Sequence, residues 1–389
     1  MSEIKKLIER LCPDGVEYKT LGEVCVMQRG TSMTKKNAIE GDIPVISGGR
    51  EPAFYINQSN REGETITVAG SGAGAGYVQY WNEPIFVNDA FSVKGSEELL
   101  TKYVYYCMKN MQEQITGTQK GGGVPHVHIS SIDNFEIPVP PIEVQSKIVE
   151  ILDNFTELEA ELEAELEARR KQYEYYRNQL LTFDKVGGAR FDVKWMKMSD
   201  IGTFTRGNGL QKKDFTEEGV GCIHYGQIYT RFGLATDTTL TKCSPELAKK
   251  LIKARKGDMI IACTSENVED VCKAVVWLGE DEIVTGGHAC VFSHNQNPKY
   301  VGYFFQTEQF FMQKKKYAKG VKVIDLKTAD LEKIVIPIPP LEEQKRIVSI
   351  LDRFEALTTD LQSGLPAEIE ARRKQYEYYR EQLLNFKRI

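Results

Sequence analysis

The sequence predicts an α/β (α+β) protein: two globular domains joined by two long antiparallel coiled-coil helices, with approximate two-fold symmetry. Three observations carry this expectation. The nine residues RRKQYEYYR occur twice without a change, at Arg169–Arg177 and at Arg372–Arg380. Each copy closes a longer repeat, which opens IPVPPIEVQSKIVEILDNF at Ile137 in one half and IPIPPLEEQKRIVSILDRF at Ile336 in the other. The stretches ahead of these repeats, from Tyr18 to Glu136 and from Trp195 to Val335, have another texture, with short runs rich in Gly, Thr and β-branched residues.

The repeats read as helical arms. In the first, apolar or aromatic residues hold a seven-residue register at Ile148, Phe155, Leu162, Tyr176 and Phe183, flanked by Leu152, Leu166, Tyr173 and Leu180; this is the pattern of a coiled-coil seam. The second arm repeats it through Ile347, Phe354 and Leu361, then resumes four residues late at Leu365, Tyr379 and Phe386. Pro138 and Pro337 are 199 residues apart and Arg169 and Arg372 are 203 apart, so the second arm carries four extra residues near Gln362–Pro366. An insertion of that size is a stutter that nearly preserves the buried face, and Gly364 with Pro366 predicts a break there. The first arm leads from the first globule to the second and the second arm starts at the second globule. Arms paired through matching seams must then run antiparallel.

The globules read as strands joined by turns, through runs such as TITV at Thr65, YVQYW at Tyr77, MIIA at Met259 and AVVW at Ala274. They also match each other weakly. Val26–Lys36 lies over Thr203–Lys213, and Thr101–Met108 over Pro298–Phe305, so they are expected to share a fold while differing over most of their surfaces. The expected boundaries are 1–140 and 184–340 for the globules, and 141–183 and 341–389 for the arms.

Composition narrows the function. A chain of 389 residues with 41% hydrophobic and 27% charged residues has room for two or three domains. It holds no run of eighteen apolar residues, and its first residues read as a short amphipathic helix ended by Pro13 rather than a signal peptide; a cytoplasmic protein is expected. Eight scattered cysteines without a CxxC pair spell out neither a metal cage nor a disulfide framework and read as buried thiols. Of the net charge of −5, the helical stretches Ile142–Thr182 and Leu341–Phe386 of the two arms carry −5 and −2, leaving +2 on the remainder. Acid is concentrated in the arms, within which ELEA recurs three times from Glu157 to Ala168.

Catalytic motifs are not supported. The glycine-rich GSGAGAG at Gly70 leads into a predicted strand, not the helix that a dinucleotide loop requires. NPKY at Asn297 lacks the second proline of an amino-methyltransferase motif, the acidic residues of PDGVEYK at Pro13 are too crowded for a nuclease, and no GxxxxGK[ST] is present.

Alternating variable globules and near-identical arms, each arm opening PxPP with a glutamine following at Gln145 or Gln344 and ending near KQYEYYR, resemble the specificity subunit of type I restriction-modification systems over essentially the whole chain. The resemblance implies two target recognition domains, each reading one half of a bipartite asymmetric site in double-stranded DNA. It implies arms that set the spacer and dock two methylation subunits, with restriction subunits joining for cleavage. The chain itself would be non-catalytic and cofactor-free; S-adenosylmethionine, ATP and Mg are implied for the partner subunits. The alternatives are a coiled-coil adaptor without DNA specificity and, third, an independent enzyme.

Arg, Lys, Gln and Asn are side chains that reach bases and phosphates. The candidate DNA contacts in the first globule are Arg29, Lys35, Lys36, Arg50, Arg61, Lys120 and His126; in the second they are Arg206, Lys212, Lys213, Gln227, Arg231, Lys319 and Lys322. Arg29 and Arg206 occupy matching positions beside a glycine, and base readout is expected where the globules differ. The candidate partner-docking residues form two equivalent patches: Arg169, Arg170, Lys171, Tyr173, Tyr175 and Tyr176, and Arg372, Arg373, Lys374, Tyr376, Tyr378 and Tyr379. Some of these tyrosines are expected to pack between the arms. A net charge of +2 outside the arms predicts weak DNA binding by the isolated chain.

Overall fold

A computed structural model describes residues 2–183, 193–320, 322–359 and 363–389. Packing divides it into two compact units, one formed by Met1–Glu163 with Glu368–Ile389 and the other by Ala164–Ala367. The sequence sets the arms apart as bodies of their own; in the structure each unit is a globule together with one end of each arm.

In the first unit the amphipathic helix Ser2–Leu11 leads to Tyr18–Thr20, which pairs antiparallel with Glu136–Pro138. Four antiparallel strands form the main sheet, in the order Cys25–Arg29, Ala90–Gly95, Thr65–Ala69 and Val78–Trp81. A second sheet sets Ile43–Ile46 between Phe54–Ile56 and Phe86–Val87, the last pair parallel. Helix Thr101–Asn110 packs on the main sheet, so every residue of Thr65–Ala69 is buried.

The second unit repeats this plan with additions. Lys194–Lys197 pairs with Val335–Ile338. Its main sheet runs Gly202–Arg206, Ala289–His294, Met259–Ala262 and Ala274–Trp277, extended by the parallel strand Ala235–Thr236. The parallel pair recurs as Val220–Ile223 with Ile283–Thr285, and helix Pro298–Phe304 stands where Thr101–Asn110 stands in the first unit. The matched segments seen in the sequence occupy the same strand and the same helix of the two units.

The arm sequence repeats because it performs one task twice. Gln145 is wholly buried; its Oε1 accepts from the Leu100 N–H at 2.9 Å, and its Nε2 donates to the carbonyls of Glu98 and Pro140, both at 2.8 Å. Gln344 does the same in the second unit, accepting from the Asn297 N–H at 3.0 Å and donating to the Pro339 carbonyl and Gln296 Oε1 at 2.9 Å. Around each glutamine the same helix-to-arm contacts recur. Tyr103 donates to the Pro138 carbonyl and Tyr300 to the Pro337 carbonyl. Lys102 pairs with Asp153 at 2.8 Å and Lys299 with Asp352 at 2.9 Å, while Tyr106 and Tyr303 donate to those same aspartates. Burial, reinforced in the first unit by the Asp153 bond, pushes the Tyr106 and Tyr303 hydroxyls up, which keeps them protonated donors.

The first arm is one helix, Ile142–Thr182. In the first unit its partner residues descend as its own numbers rise. Phe155 meets the rings of Tyr379 and Tyr376, and Glu159 and Glu163 pair with Arg373. The helices are therefore antiparallel there, and Tyr176 against Phe354 repeats the Phe155–Tyr379 contact in the second unit. Ile148 and Leu152 are fully buried, as the seam predicts; so are Leu181 and, nearly, Leu384, which the seam omits. Those two bury because the arm ends face a globule as well as the other arm, which widens the apolar face beyond two positions in seven. The second arm is broken: one helix ends at Thr359 and the next starts at Leu365, with Pro366 in the first turn of that helix, where its missing N–H leaves no helical bond unmade. The predicted seam residue Leu361 and Gln362 lie outside the described residues.

All eight cysteines are free thiols, seven of them buried and Cys25 partly so. Replacing Gln145 or Gln344 with alanine strands one part-buried backbone N–H, one buried carbonyl and one part-buried acceptor. Each change is expected to cost about 2–4 kcal/mol, measured by urea denaturation of the purified chain; a loss below about 0.5 kcal/mol would mean that the clamp does not hold arm to globule.

Candidate nucleic-acid interface

Three backbone segments meet beside Arg29 in the first unit: the end of strand Cys25–Arg29, the glycine loop that begins at Gly70, and the turn from Lys120 to His126. Gly30 donates to the Ala90 carbonyl at 2.8 Å, Gly70 to Asp89 at 3.0 Å, and Val127 to Gly70 at 3.0 Å. Lys120 and His126 exchange both backbone bonds, at 2.9 and 2.8 Å. The turn closes through Gly121, whose φ of 110° suits only glycine and whose added Cβ would press on the Val124 carbonyl. The glycine loop leads into strand Val78–Trp81, as its sequence predicts, and has positive φ at Gly72 and Gly76. A cavity of about 480 Å³ opens here, lined by Arg29, Asn88, Asp89, His126 and His128 among others.

The second unit builds the same frame from other residues. Gly207 donates to Ala289 at 2.9 Å, Cys263 to His288 at 2.8 Å, and Leu326 to Cys263 at 3.0 Å. Lys319 and Asp325 form the corresponding bridge, with Gly320 at φ 135°. Thr264 stands where Ser71 stands, and their side chains repeat one contact: Ser71 Oγ bonds Asp89, whereas Thr264 Oγ1 meets His288 Nδ1 at 3.1 Å.

The candidate contacts divide by what their side chains already hold. Arg29, Lys35, Lys36, Arg50 and Lys120 are exposed, Lys35 and Lys36 on the short helix Lys35–Asn37. Arg50 lies over the Tyr77 ring at 5.0 Å. Their counterparts Lys212 and Lys213 on the short helix Lys212–Asp214, with Arg231, Lys319 and Lys322, are likewise exposed. Three others are committed internally. Arg61 donates to Ser92 Oγ at 2.7 Å and to the carbonyls of Asn60 and Arg29 at 2.6 and 2.9 Å. Arg206 donates through Nε to the Gly287 carbonyl at 2.9 Å and through Nη2 to Asp325 at 3.2 Å. Gln227 accepts from the His224 N–H at 2.9 Å and donates to Thr241 at 3.2 Å, capping the helix Tyr225–Thr230. Burial lowers the His224 pKa, and its neutral Nδ1 accepts the Gly226 N–H in the same cap. Asn297 of the rejected NPKY motif is also a cap, accepting from the Tyr300 N–H.

Sequence reasoning passed over Asp89, His288 and Asp325, because it sought cations and amides. The available signal was their position: His126 and Asp325 follow equivalent turns, and Asp89 and His288 each precede a strand that opens with alanine.

In the two candidate patches the structure sorts the tyrosines by helix position. Tyr173 packs in the core of the second unit and Tyr376 against the core of the first. Each lies under an arginine, Arg177 at 5.2 Å and Arg380 at 5.1 Å, so neither is a free docking side chain. Tyr379 stacks on Phe155 and Tyr176 packs at a tilt against Phe354, whereas Tyr175 and Tyr378 project, 60% and 57% exposed. Arg169 and Arg372 pair along their own helices with Glu165 and Glu368, and Lys171 and Lys374 with Glu167 and Glu370. Arg373 holds Glu159 and Glu163 of the ELEA repeats; Arg170 and Lys171 are exposed, as is Lys374.

A frame built twice, with different polar side chains at its rim, is the geometry of two related recognition modules. Residues 13–168 and 192–371 both match the type I restriction modification DNA specificity domain. The chain belongs to that family. It is a specificity subunit of a type I restriction-modification system, and its two matched regions correspond to two target recognition domains. It is 31% identical over 407 residues to a putative type I restriction enzyme specificity subunit of Haemophilus influenzae, across 99% of this chain and 100% of the relative. To the specificity subunit of a type I restriction enzyme of Escherichia coli it is 30% identical over 412 residues, across 99% and 98%. Its fold resembles the type I restriction-modification S subunit from M. genitalium, with a TM-score of 0.60 at 16% identity, covering 96% of this chain and 97% of the other. It also resembles a chain solved in work on complex assembly and conformational transition of the type I R-M system, with a TM-score of 0.63 at 18% identity, covering 96% and 98%. Specificity subunits are a non-catalytic family, and among the described residues no helix of this one is long and apolar enough to cross a membrane.

The internal bonds of Arg61 separate it from its exposed neighbours. Arg61→Ala is expected to lower stability by about 2 kcal/mol, whereas Lys35→Ala and Lys36→Ala should stay within about 0.5 kcal/mol of the parent. Urea melts of the three variants test this; equal effects would show Arg61 to be an ordinary surface charge.

Proposed function

We propose that each recognition domain of this specificity subunit reads one half of a bipartite, asymmetric site in double-stranded DNA, with the arms setting the unread spacer and docking two methylation subunits. The observation that carries the reading is the duplicated frame around Arg29 and Arg206, identical in backbone bonding and different in side chains. Telling bases apart requires donors and acceptors placed at base edges in a groove; a common frame with exchangeable rim residues supplies two readers with two specificities. A coiled-coil adaptor without DNA specificity has no use for that difference.

The exposed lysines beside the frame contact phosphates, which positions the reader without specifying sequence. With only +2 of net charge outside the arms, much of the electrostatic grip comes from the partner subunits, and the isolated chain binds DNA weakly. Tyr175 and Tyr378, with the basic residues of their patches, are equivalent docking points for two copies of one partner; exposed aromatic and arginine side chains favour such contacts. Methyl transfer from S-adenosylmethionine to adenine takes place in the methylation subunits, and ATP- and Mg-dependent cleavage needs the restriction subunits. The assembly works in the cytoplasm.

The ELEA units act as the ruler. One unit adds about 6 Å of helix and about 40° beyond a full turn, comparable with one to two base-pair steps. Removing one also displaces Glu159 and Glu163 against Arg373 by a whole unit. In cells carrying the chain and its methylation subunits, mapping of modified adenines is expected to give a two-part motif. Deleting one ELEA unit is expected to shift its spacer by one or two base pairs with both half-sites unchanged. A motif with no gap, or a spacer indifferent to the deletion, would refute the ruler.

A further inference from the structure

Two acid and base positions are exchanged between the units. On the common frame, Asp89 in the first unit corresponds to His288 in the second, and His126 in the first corresponds to Asp325 in the second. The backbone bonds that hold the four residues are the same, so the exchange changes hydrogen-bonding character and charge while the frame stays as it is. A carboxylate only accepts, whereas a neutral imidazole both donates and accepts.

The neighbouring arginines respond differently. The Arg29 guanidinium has no hydrogen-bond partner among the described residues, and Arg29 is exposed and lines the cavity together with His126 and Asp89; Asp89 itself is held by Ser71. Arg206 is tied down, its Nε to the Gly287 carbonyl and its Nη2 to Asp325 Oδ1. Asp325 thus has one oxygen engaged by a cation and the other without a hydrogen-bond partner among the described residues. Neutralisation by Arg206 is what allows a carboxylate to approach the negative field of DNA.

We propose that the residue that closes the glycine turn, His126 in the first unit and Asp325 in the second, marks the specificity-determining position of each recognition domain. Beside His126 the unengaged Arg29 donates two parallel bonds to O6 and N7 of a guanine in the first half-site. In the second unit Arg206 is a positioning residue, and Asp325 accepts from the amino group of an adenine or cytosine in the second half-site. This inference rests on the reading that each unit recognises a half-site, and it deepens that reading by naming the base class at one position of each.

The test maps modified adenines made by the full chain assembled with its methylation subunits, for the parent and for His126→Asp and Asp325→His. His126→Asp sets a carboxylate beside Arg29, so the preference for guanine at one position of the first half-site is expected to fall about tenfold or more, with the second half-site and the spacer unchanged. Asp325→His is expected to lose the amino-bearing base at one position of the second half-site only. If His126→Asp leaves the first half-site intact, or alters the second, the inference is overturned. Should His126→Asp fail to assemble, Arg29→Lys decides: it keeps the charge but not the fork, so a weakened guanine preference supports the assignment and an unchanged motif overturns it. A parent complex that modifies DNA without any two-part motif would instead overturn the half-site reading on which the assignment stands.

Discussion

Each unit depends on one buried amide. Gln145 and Gln344 are wholly enclosed, and each joins the proline gate at the head of an arm to the residues that open a globule helix. A buried polar group without partners costs several kcal/mol, so the glutamine is stable only when gate, helix and arm are all in place. That cost converts three separate segments into one geometry. The tyrosine and lysine contacts to Asp153 and Asp352 then fix the direction in which each arm leaves its globule. The proline gate, the glutamine and the aspartate recur in both arms because this junction uses each of them.

The same division of labour holds at the rim of each recognition domain. Backbone bonds between the glycine-bearing turn, the loop below it and the neighbouring strand are made identically in both units. None of them uses a side chain, so side chains at Ser71, Asp89 and His126, or at Thr264, His288 and Asp325, can change without dismantling the frame. Positive-φ glycines at Gly121 and Gly320 bear the conformational demand. The chemistry of the rim is thereby separated from folding, which is what a scaffold must achieve if its specificity is to change.

The fold was largely legible in the sequence, because its strongest signals are periodic. The arms, their antiparallel sense, the break ahead of Pro366 and the correspondence of the two globules all follow from repeats that can be counted. The seam was less complete: Leu181 and Leu384 pack against globules as well as helices, a demand that a seven-residue pattern does not contain. The interface was legible only in part. Exposed Arg29, Lys35 and Lys36 are visible as charges, but Arg61, Arg206 and Gln227 look the same in a sequence and are spent on internal bonds. Asp89 and Asp325 escaped because the sequence was read for cations and amides, and the bonds of Asp89 to Ser71 and of Asp325 to Arg206 are not visible in it. Tyr173 and Tyr175 stand two apart in one motif, yet a helix turns them about 200° from each other, one into the core and one outward.

The two units differ in how they are spelled along the chain. The second is contiguous from Ala164 to Ala367, whereas the first needs Glu368–Ile389 to complete it. Lys387 accepts from the Val16 N–H, Tyr18 bonds Phe386, and Arg388 covers the Tyr18 ring. Leu383 and Leu384 fill the same core as Ile4 and Leu21. On a ribosome, which delivers residues in order, the later-encoded domain therefore has all its parts first. The domain begun earlier lacks Leu383, Leu384 and Phe386 of its core until about two hundred further residues have been made.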